Sequence, residues 1–319
     1  MTAPLYLVAD VGGTNTRCAL ADGPIVRADS VRRYANREFP DLAPVLTRFR
    51  SDTGCRQPDG ACVAVAGPVA DGVAELTNLA WSIDTARLVQ ATGARAGAIL
   101  NDLQAQGHAL DHLPSGAVRP VIEAPRREGA ARLVIGIGTG FNAAPVHDTP
   151  SGRIVPASEC GHANLPIRTD AELRLCQFVS SAHGFPAVED VVSGRGLERV
   201  YRWLAAEAGE TTERSAAEIM DGIVDDPRAE AAVRQFIRIL GTVAGNLSLI
   251  HLPLGGVSLV GGVARAVAPH LDAMGFAAAF RDKGRFAGFM GNFAVDVIQD
   301  DYAALTGCAA SLAERALTA

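Results

Sequence analysis

Short apolar runs that end at glycine, aspartate or asparagine alternate along the chain with longer runs that carry apolar residues at helical spacing. Runs at residues 5–9, 62–66, 98–100, 133–137 and 257–260 predict strands, and residues 17–21 predict a strand that forms a hairpin with the first. The helical spacing is clearest over residues 230–250, and further helices are predicted over 103–113 and 263–274. Strands closed by glycine turns and mixed with helices are typical of an α/β protein with open sheets.

The composition predicts a globular chain of two domains, since 319 residues correspond to about two units of roughly 150 residues. Hydrophobic residues make up 48% and charged residues 20%, which excludes wholesale disorder. The 29 basic and 35 acidic side chains give a formal charge of −6, which argues against a nucleic-acid binder because such proteins need a basic face. Residues 239–264 lack charge but contain polar residues, proline and glycine, so we expect no membrane span. Six cysteines with neither C-x-x-C nor zinc-site spacing predict reduced thiols in a cytoplasmic protein.

The segment DVGGTNTR, from Asp10 to Arg17, contains the most informative glycine turn. Gly12 and Gly13 allow a tight turn that brings backbone N–H groups close to an anion, and Thr14 and Asn15 add side-chain donors. The turn therefore predicts a phosphate site, beside which Asp10 is placed to hold Mg²⁺ through water. Its spacing is neither that of a P-loop nor that of a dinucleotide-binding fingerprint. The alternative is a plain hairpin turn, which needs a glycine but none of the polar residues beside it.

Two later glycine turns also follow predicted strands. Gly138-Thr139-Gly140 lacks the dinucleotide spacing, but it offers the Thr139 hydroxyl as a donor to a phosphate. Gly261-Gly262 stands between a strand and a helix, where the helix N-terminus favours an anion. Either turn alone is also consistent with a structural turn. Together, the three turns predict a nucleotide held in a cleft between two sheets.

Polar residues beside apolar or glycine positions predict a sugar site. Asn101-Asp102 follows a strand and opens a helix, where the helix dipole keeps a carboxylate ionised and able to accept a hydroxyl proton during phosphoryl transfer. The alternative for this pair is a helix N-cap, for which both residue types are common. Glu159, His162 and Glu189 offer donors and acceptors for ring hydroxyls, although an exposed carboxylate or a loop histidine has the same sequence signature.

The ordered motifs resemble those of the bacterial ATP-dependent glucokinase family, hexokinase-like enzymes with a two-domain actin-like ATPase (ribonuclease H-like) α/β fold. The first motif is shared by many sugar kinases, whereas the whole set is specific and spans essentially the entire chain. The motifs are Asp10-Val11-Gly12-Gly13-Thr14-Asn15, Thr77-Asn78 with Trp81, Asn101-Asp102, Gly138-Thr139-Gly140, Glu159 with Gly161-His162, Glu189 with Val192-Ser193-Gly194 and Gly196-Leu197, Gly261-Gly262, and Phe280-Arg281-Asp282-Lys283-Gly284-Arg285-Phe286.

The resemblance implies transfer of the ATP γ-phosphoryl group to the 6-hydroxyl of glucose, which gives glucose 6-phosphate and ADP in glycolysis. Mg²⁺ would be held mainly by the phosphates, with no metal site built from the protein alone. Asp102 would be the general base. The implied sugar ligands are Asn101, Asp102, Glu159, His162 and Glu189, and the implied ATP-binding residues are Asp10, Val11, Gly12, Gly13, Thr14, Asn15, Gly138, Thr139, Gly140, Gly261 and Gly262.

The resemblance also implies the division of the chain. A small α/β domain would comprise residues 1–110 and be completed by residues 301–319, and a large α/β domain would comprise residues 111–300, with a cleft between the two. Similar enzymes are homodimers, so a second copy of the chain is the expected partner.

Two positions depart from the family pattern. Phe141-Asn142 follow Gly-Thr-Gly where Leu-Gly is frequent, and Cys160 stands where glycine is usual. These departures keep two alternatives open: a kinase for another hexose or an amino sugar, and a non-catalytic sugar sensor. A nucleotide-driven actin-like filament protein is a third alternative, but it has no need for the sugar ligands.

Overall fold

The architecture is that of a computed structural model, which describes residues 3–76 and 79–318; Thr77 and Asn78 of the second motif lie outside the described residues. The strands are β1 (Leu5–Val11), β2 (Asn15–Asp22), β3 (Ile25–Val26), β4 (Arg32–Ala35), β5 (Gly60–Val65), β6 (Val69–Ala70), β7 (Val73–Glu75), β8 (Ser82–Asp84), β9 (Ala96–Asn101), β10 (Val118–Ile122), β11 (Arg132–Ile137), β12 (Phe141–Thr149), β13 (Gly152–Ile154), β14 (Gly256–Val260) and β15 (Val295–Ile298). The helices are α1 (Leu42–Thr53), α2 (Thr85–Thr92), α3 (Asp102–Ala109), α4 (Asp170–His183), α5 (Gly194–Glu207), α6 (Ala216–Asp221), α7 (Pro227–His251), α8 (Gly262–Val267), α9 (Phe276–Arg281) and α10 (Ala303–Thr318).

These elements form two compact units. The described residues of Met1–Ser115, Asp148–Ala157 and Asp300–Ala319 make the first unit, and Gly116–His147 with Ser158–Gln299 makes the second. The first unit therefore collects three separate stretches of the chain.

The first unit is built on a sheet whose strand order is β3-β2-β1-β5-β9, with β4 also paired to β2. Strands β1, β5 and β9 are parallel, and β2 returns antiparallel to β1. Successive residues of β1 face opposite sides, so Leu7 and Ala9 pack with α1 and α2, whereas Tyr6 and Val8 pack with α3 and α10. Helices on both faces explain why the central strands are almost continuously apolar.

The second unit contains the parallel strands β11, β14 and β15, and the strands of its sheet follow the order β10-β15-β14-β11-β12. Its core joins strand residues such as Ile135 and Leu259 to Phe236 and Leu240 of the long helix α7. Strand β12 returns antiparallel to β11, so the turn between them lies at the edge where β14 also ends.

All the predicted strands are present, and the predicted helices differ mainly in where they end. Helix α7 begins at Pro227 because Asp226 caps it and proline is favoured in a first turn. The helix predicted over residues 103–113 ends at Ala109. That predicted over 263–274 ends at Val267, because Pro269 follows and leads into a short 3₁₀ turn. Among the described residues, no helix has both the length and the apolar character that a membrane crossing requires.

Candidate active site

The turn at residues 12–15 is the tip of the β1–β2 hairpin. The N–H of Gly12 donates to the carbonyl of Asn15 at 3.0 Å, which closes the turn. Gly13 and Thr14 are exposed at its tip. The exposed backbone of Gly13 and Thr14 and the Thr14 hydroxyl are the groups that the predicted phosphate site would use.

Asp10 lies directly opposite Arg17 in the hairpin, and Arg17 Nη1 is 3.6 Å from Asp10 Oδ2. Burial raises the pKa of Asp10, and the charge of Arg17 opposes this rise. A carboxylate oxygen is the donor that Mg²⁺ prefers, and one carboxylate together with substrate phosphates is a common way for proteins to hold this ion. Asp10 therefore fits the predicted Mg²⁺ role. The described residues contain no cluster of three or more histidine, cysteine, aspartate or glutamate side chains suited to a metal.

Asn36, which was not predicted from the sequence, stabilises the turn at residues 12–15 through hydrogen bonds. Asn36 is 2% exposed; its Nδ2 donates to the carbonyl of Gly12 at 2.8 Å, and its Oδ1 accepts from Thr16 Oγ1 at 2.8 Å. Its backbone N–H donates to the carbonyl of Thr14 at 2.9 Å. Three hydrogen bonds from one buried residue fix the shape of the turn.

Asn101 and Asp102 lie at the same edge of the first sheet as this turn. Val11 pairs with Val65, and Val65 pairs with Asn101, so the three strand ends lie in one row. At the usual spacing of neighbouring strands, the ends of β1 and β9 are about 10 Å apart. The sheet thus brings Asp102 near the turn at residues 12–15.

The N-cap alternative for Asn101-Asp102 is realised by Asn101. Its Oδ1 accepts from the N–H of Leu103, and the Gln104 side chain accepts from the N–H of Asn101, which makes a capping box. Asn101 Nδ2 also donates to the carbonyl of Gly67 at 3.1 Å. Asp102, the first residue of α3, is half-buried and sits where the helix dipole favours a negative charge.

The second unit brings its two glycine turns together. The carbonyl of Gly138 accepts from the N–H of Gly194 at 2.9 Å, so the turn at residues 138–140 touches the first residue of α5. Gly261 has φ +103°, and a Cβ there would overlap the carbonyl of Ile137, so only glycine fits this approach. Both turns therefore lie at one edge of the second sheet, next to the N-termini of α5 and α8.

Glu159, His162 and Glu189 lie on segments that pack around the turn at residues 138–140. Glu189 Oε2 accepts from the N–H of Phe141 at 3.0 Å, and the N–H of Glu189 donates to the carbonyl of Gly161 at 2.9 Å. Glu159 precedes a short 3₁₀ turn and His162 is its last residue; the N–H of His162 donates to the carbonyl of Glu159, and both side chains are exposed. The second unit thus gathers these three polar residues beside its candidate phosphate turn.

The predicted residues fall into two groups, one in each unit. The first unit brings residues 10–15 together with residues 101–102, and the second brings residues 138–140 and 261–262 together with Glu159, His162 and Glu189. Asn36 and Ser158 were not predicted from the sequence, Ser193 was named only within a motif and without a role, and Asn142 was noted only as a departure from the family pattern. The role of Ser193 could have been predicted, because serine is a preferred N-cap residue and it stands directly before the helix α5. In the structure its Oγ accepts from the N–H of Gly196.

Comparison with known proteins gives consistent matches along the chain. The model of the Glucokinase family matches residues 7–315. A glucokinase from Saccharophagus degradans is 31% identical over 313 residues, covering 96% of this chain and 98% of that protein.

Solved structures match over the same extent. The crystal structure of a glucokinase from an Antarctic psychrotroph has a TM-score of 0.85 and 30% identity, covering 97% of this chain and 98% of that one. A glucokinase of the ROK family from Streptomyces griseus, solved in complex with glucose and AMPPNP, has a TM-score of 0.66 and 19% identity, covering 98% and 99%. The fold is therefore the two-domain actin-like ATPase fold that these sugar kinases share.

Proposed function

The chain belongs to the glucokinase family and is an ATP-dependent hexose kinase that phosphorylates glucose, and we propose that Asp102 is the general base of this transfer. The observation that carries the proposal is the row Val11–Val65–Asn101, which supports a carboxylate close to the turn at residues 12–15. A base and a phosphate-binding turn at one sheet edge are what an in-line phosphoryl transfer needs.

In the proposed reaction, the Asp102 carboxylate accepts the proton of the glucose 6-hydroxyl while its oxygen attacks the γ-phosphorus. The bond between the γ-phosphorus and the bridging oxygen breaks, and the electron pair leaves on ADP. The N-terminus of α3 stabilises the ionised carboxylate before the transfer. Asp102 holds the proton afterwards and returns it to water.

For the ring hydroxyls we assign Asn101, Asp102, Glu159, His162 and Glu189. The support is chemical, because these side chains supply the donors and acceptors that a sugar hydroxyl needs. The Asn101 amide is oriented by Gly67 and Leu103, and the Glu189 carboxylate by the N–H of Phe141. Such fixed polar groups reject analogues that leave them unpaired.

For ATP we assign the three glycine turns and the residues beside them. The exposed tip of the β1–β2 hairpin and the turn at residues 138–140 would bind phosphates, and Gly261-Gly262 would line the adenosine side. The N-terminus of the 14-residue helix α5 beside Gly138 supports an anion there. The AMPPNP-bound S. griseus protein adds support for ATP as the donor.

Mg²⁺, when bound with ATP, would neutralise phosphate charge, and Asp10 is the residue of this chain that would hold it. We also propose that the protein acts in glycolysis, for which the family resemblance is the support, and in the cytoplasm, for which its six free cysteines are the support. The family resemblance supports a homodimer, and light scattering should then report the mass of two chains.

The substitution Asp102→Asn tests the proposed base. We expect kcat to fall by about 10²–10⁴-fold, because an amide cannot accept the proton. Steady-state assay of ADP release with Mg-ATP and glucose measures kcat, and calorimetry measures glucose affinity, which should change little. Asp225→Asn, the same exchange at an exposed carboxylate in the second unit, serves as the matched control. Normal kcat in Asp102→Asn would remove Asp102 from this role.

The choice of sugar is tested separately with glucose, fructose, mannose and N-acetylglucosamine in the same assay. The highest kcat/KM should be with glucose. A higher value with another sugar would favour the alternative kinase. If glucose raises the melting temperature while no sugar yields ADP, the sensor alternative would be favoured.

A further inference from the structure

The two positions that depart from the family pattern, Asn142 and Cys160, are hydrogen-bonded to each other. Asn142 Oδ1 accepts from the N–H of Cys160 at 3.2 Å and lies 3.4 Å from its thiol Sγ. The same oxygen accepts from the N–H of Ala143 at 2.9 Å and lies 3.0 Å from Ser158 Oγ. Because backbone N–H groups can only donate, they fix which end of the amide is the oxygen.

The other end of the amide points to the residue between Ser158 and Cys160. Asn142 Nδ2 donates to the carbonyl of Ser158 and lies 3.4 Å from Glu159 Oε2. We call Asn142, Ser158, Glu159 and Cys160 the Asn142 cluster. Its centre is one amide that contacts three consecutive residues.

Asn142 is needed for its side chain and not for an unusual backbone conformation. Among the described residues, the non-glycine positions with positive φ are Asp71 and Leu252, so Asn142 is ordinary extended strand. It pairs with Gly136 inside the β11–β12 ladder. The ability of asparagine to adopt positive φ therefore has no part in the choice of residue here.

The backbone on both sides of Glu159 is held in place, whereas its side chain is exposed. Ser158 Oγ donates to the carbonyl of Ala143 at 2.7 Å. On the other side, Gly161 packs so closely on Phe141 that an added Cβ would overlap the Phe141 carbonyl. A fixed backbone with an exposed carboxylate is the arrangement expected of a residue that presents its charge to a ligand.

From these contacts we infer that Asn142 is a positioning residue for glucose, which sets the direction of the Glu159 carboxylate by holding Ser158 and Cys160 against β12. The inference rests on the proposed role of Glu159 as a sugar ligand. On this inference, Cys160 donates to Asn142 Oδ1 through both its N–H and its thiol. Glycine, which is usual at this position in the family, could donate only through its N–H. The inference assigns Asn142 a contact with Glu159 and none with a substrate, so it predicts an effect on sugar affinity and not on the transfer step.

The state of the Cys160 thiol agrees with a donor role. Burial raises its pKa, and hydrogen bonds to Ser158 and the backbone oppose this rise only in part. The thiol is then protonated at neutral pH and able to donate to Asn142 Oδ1. A protonated, half-buried thiol is also a poor nucleophile, so Cys160 should react slowly with alkylating reagents.

The test compares Asn142→Gly with Glu159→Gln, using the exposed Asn292→Gly as the control for losing an asparagine elsewhere in the unit. We expect Asn142→Gly to raise the KM for glucose about tenfold, as for one lost hydrogen bond, with the KM for ATP and kcat within about twofold. Glu159→Gln should raise the KM for glucose at least as much. A general loss of structure would instead change kcat and both KM values.

Two further variants keep the test decisive if Asn142→Gly does not fold. Asn142→Asp keeps the acceptor but places a carboxylate beside Glu159, so it should also raise the KM for glucose. Cys160→Ser keeps a donor to Asn142 and should leave both KM values unchanged. Mass spectrometry should show faster iodoacetamide labelling of Cys160 in Asn142→Gly than in the unsubstituted protein.

The outcomes separate this inference from the proposed function. If Glu159→Gln raises the KM for glucose and the Asn142 variants do not, the inference is overturned and the sugar site stands. If Glu159→Gln has no effect, Glu159 is not a sugar ligand and both fail. Unchanged labelling of Cys160 in Asn142→Gly would show that Asn142 does not hold this segment, whatever the kinetics.

Discussion

At the scale of single residues, the shape of the turn at residues 12–15 depends on a side chain more than twenty positions further along the chain. Asn36 is buried and bonds to both sides of the turn, to the Gly12 carbonyl and to the Thr16 hydroxyl. Thr16 is itself fully buried, so its hydroxyl would otherwise lie unpaired in an apolar environment. These hydrogen bonds fix the shape of the turn, so the proposed anion site would be preorganised.

The substitution Asn36→Ala should affect both stability and nucleotide binding. We expect the free energy of unfolding to fall by about 1–3 kcal/mol, because the buried Thr16 hydroxyl and the half-buried Gly12 carbonyl lose their partner. We also expect a higher KM for ATP and an unchanged KM for glucose. Urea denaturation and steady-state kinetics measure the two effects, and Asn292→Ala is the control. Lower stability with an unchanged KM for ATP would limit Asn36 to a structural role.

At the scale of elements, helix α3 is held at both ends and in its middle. Asn101 caps its start, and Arg153 Nη1 donates to the carbonyls of Gly107 and His108 near its end, at 3.1 and 3.3 Å. In its middle it packs on α10 so closely that a Cβ at Gly307 would overlap the Ala105 carbonyl. Since Asp102 is the first residue of α3, this packing sets the position of the proposed base.

The substitution Gly307→Ala tests whether that packing matters for catalysis. The added methyl group must push α3 away from α10, which we expect to cost about 1–3 kcal/mol of stability. The shift should also lower kcat more than it changes the KM for ATP, because it displaces Asp102. Gly288→Ala is the matched control, since nothing lies within 4 Å of its added Cβ and its φ is −65°. If Gly307→Ala is destabilised but its kcat is unchanged, the packing of α10 on α3 does not set the position of Asp102.

The start of the long helix α7 gives the molecule a pH-dependent contribution to stability. Burial raises the pKa of Asp226, but hydrogen bonds from the Tyr201 hydroxyl and from backbone N–H groups, with the charge of Arg214, outweigh it and hold the pKa below its ordinary value. Because the folded pKa is lowered, this stabilisation is present above the unfolded pKa of about 3.9 and is lost as the pH falls through the folded pKa.

The substitution Asp226→Ala should therefore be more harmful at neutral pH than in acid. We expect a loss of about 1–2 kcal/mol at pH 7, from the missing cap and the missing bond to Tyr201. The difference from the unsubstituted protein should shrink below pH 4, where Asp226 becomes protonated. Urea denaturation across pH 3–7 measures it, with the exposed Asp225→Ala as the control. If the loss of stability in Asp226→Ala is the same at every pH, the contribution of Asp226 does not depend on its negative charge.

At the scale of the whole molecule, the apolar runs of the sequence predict where the strands end. They do not predict which distant residues come into contact. Asp10, Gly12 and Asn101 stand directly at the ends of apolar runs, so their place at a sheet edge follows from the pattern alone. The contact of Gly307 with Ala105 joins residues about two hundred positions apart, and no local pattern marks it. Likewise, nothing in residues 148–157 indicates that they join the first unit.

The first unit also depends on the end of the chain, because α10 covers one face of its sheet. Leu305, Cys308 and Leu312 are buried there against residues that include Tyr6 and Val8 of β1. Burying each large apolar side chain contributes about 1.5–3 kcal/mol, whereas a whole domain is stable by only about 5–15 kcal/mol. The first unit should therefore not fold stably without α10, while the core of the second unit contains no residue of that helix.

A chain that ends at residue 299 tests this dependence. Hydrogen exchange followed by mass spectrometry should show lost protection in β1, β5 and β9, because their face toward α10 becomes exposed to water. Helix α7 should keep its protection, since its partners lie in the second unit. A chain that lacks only residues 317–319 retains Leu305, Cys308 and Leu312 of α10 and should behave as the full chain does. Full protection of β1 in the chain ending at residue 299 would mean that α1 and α2 alone are enough to hold the sheet.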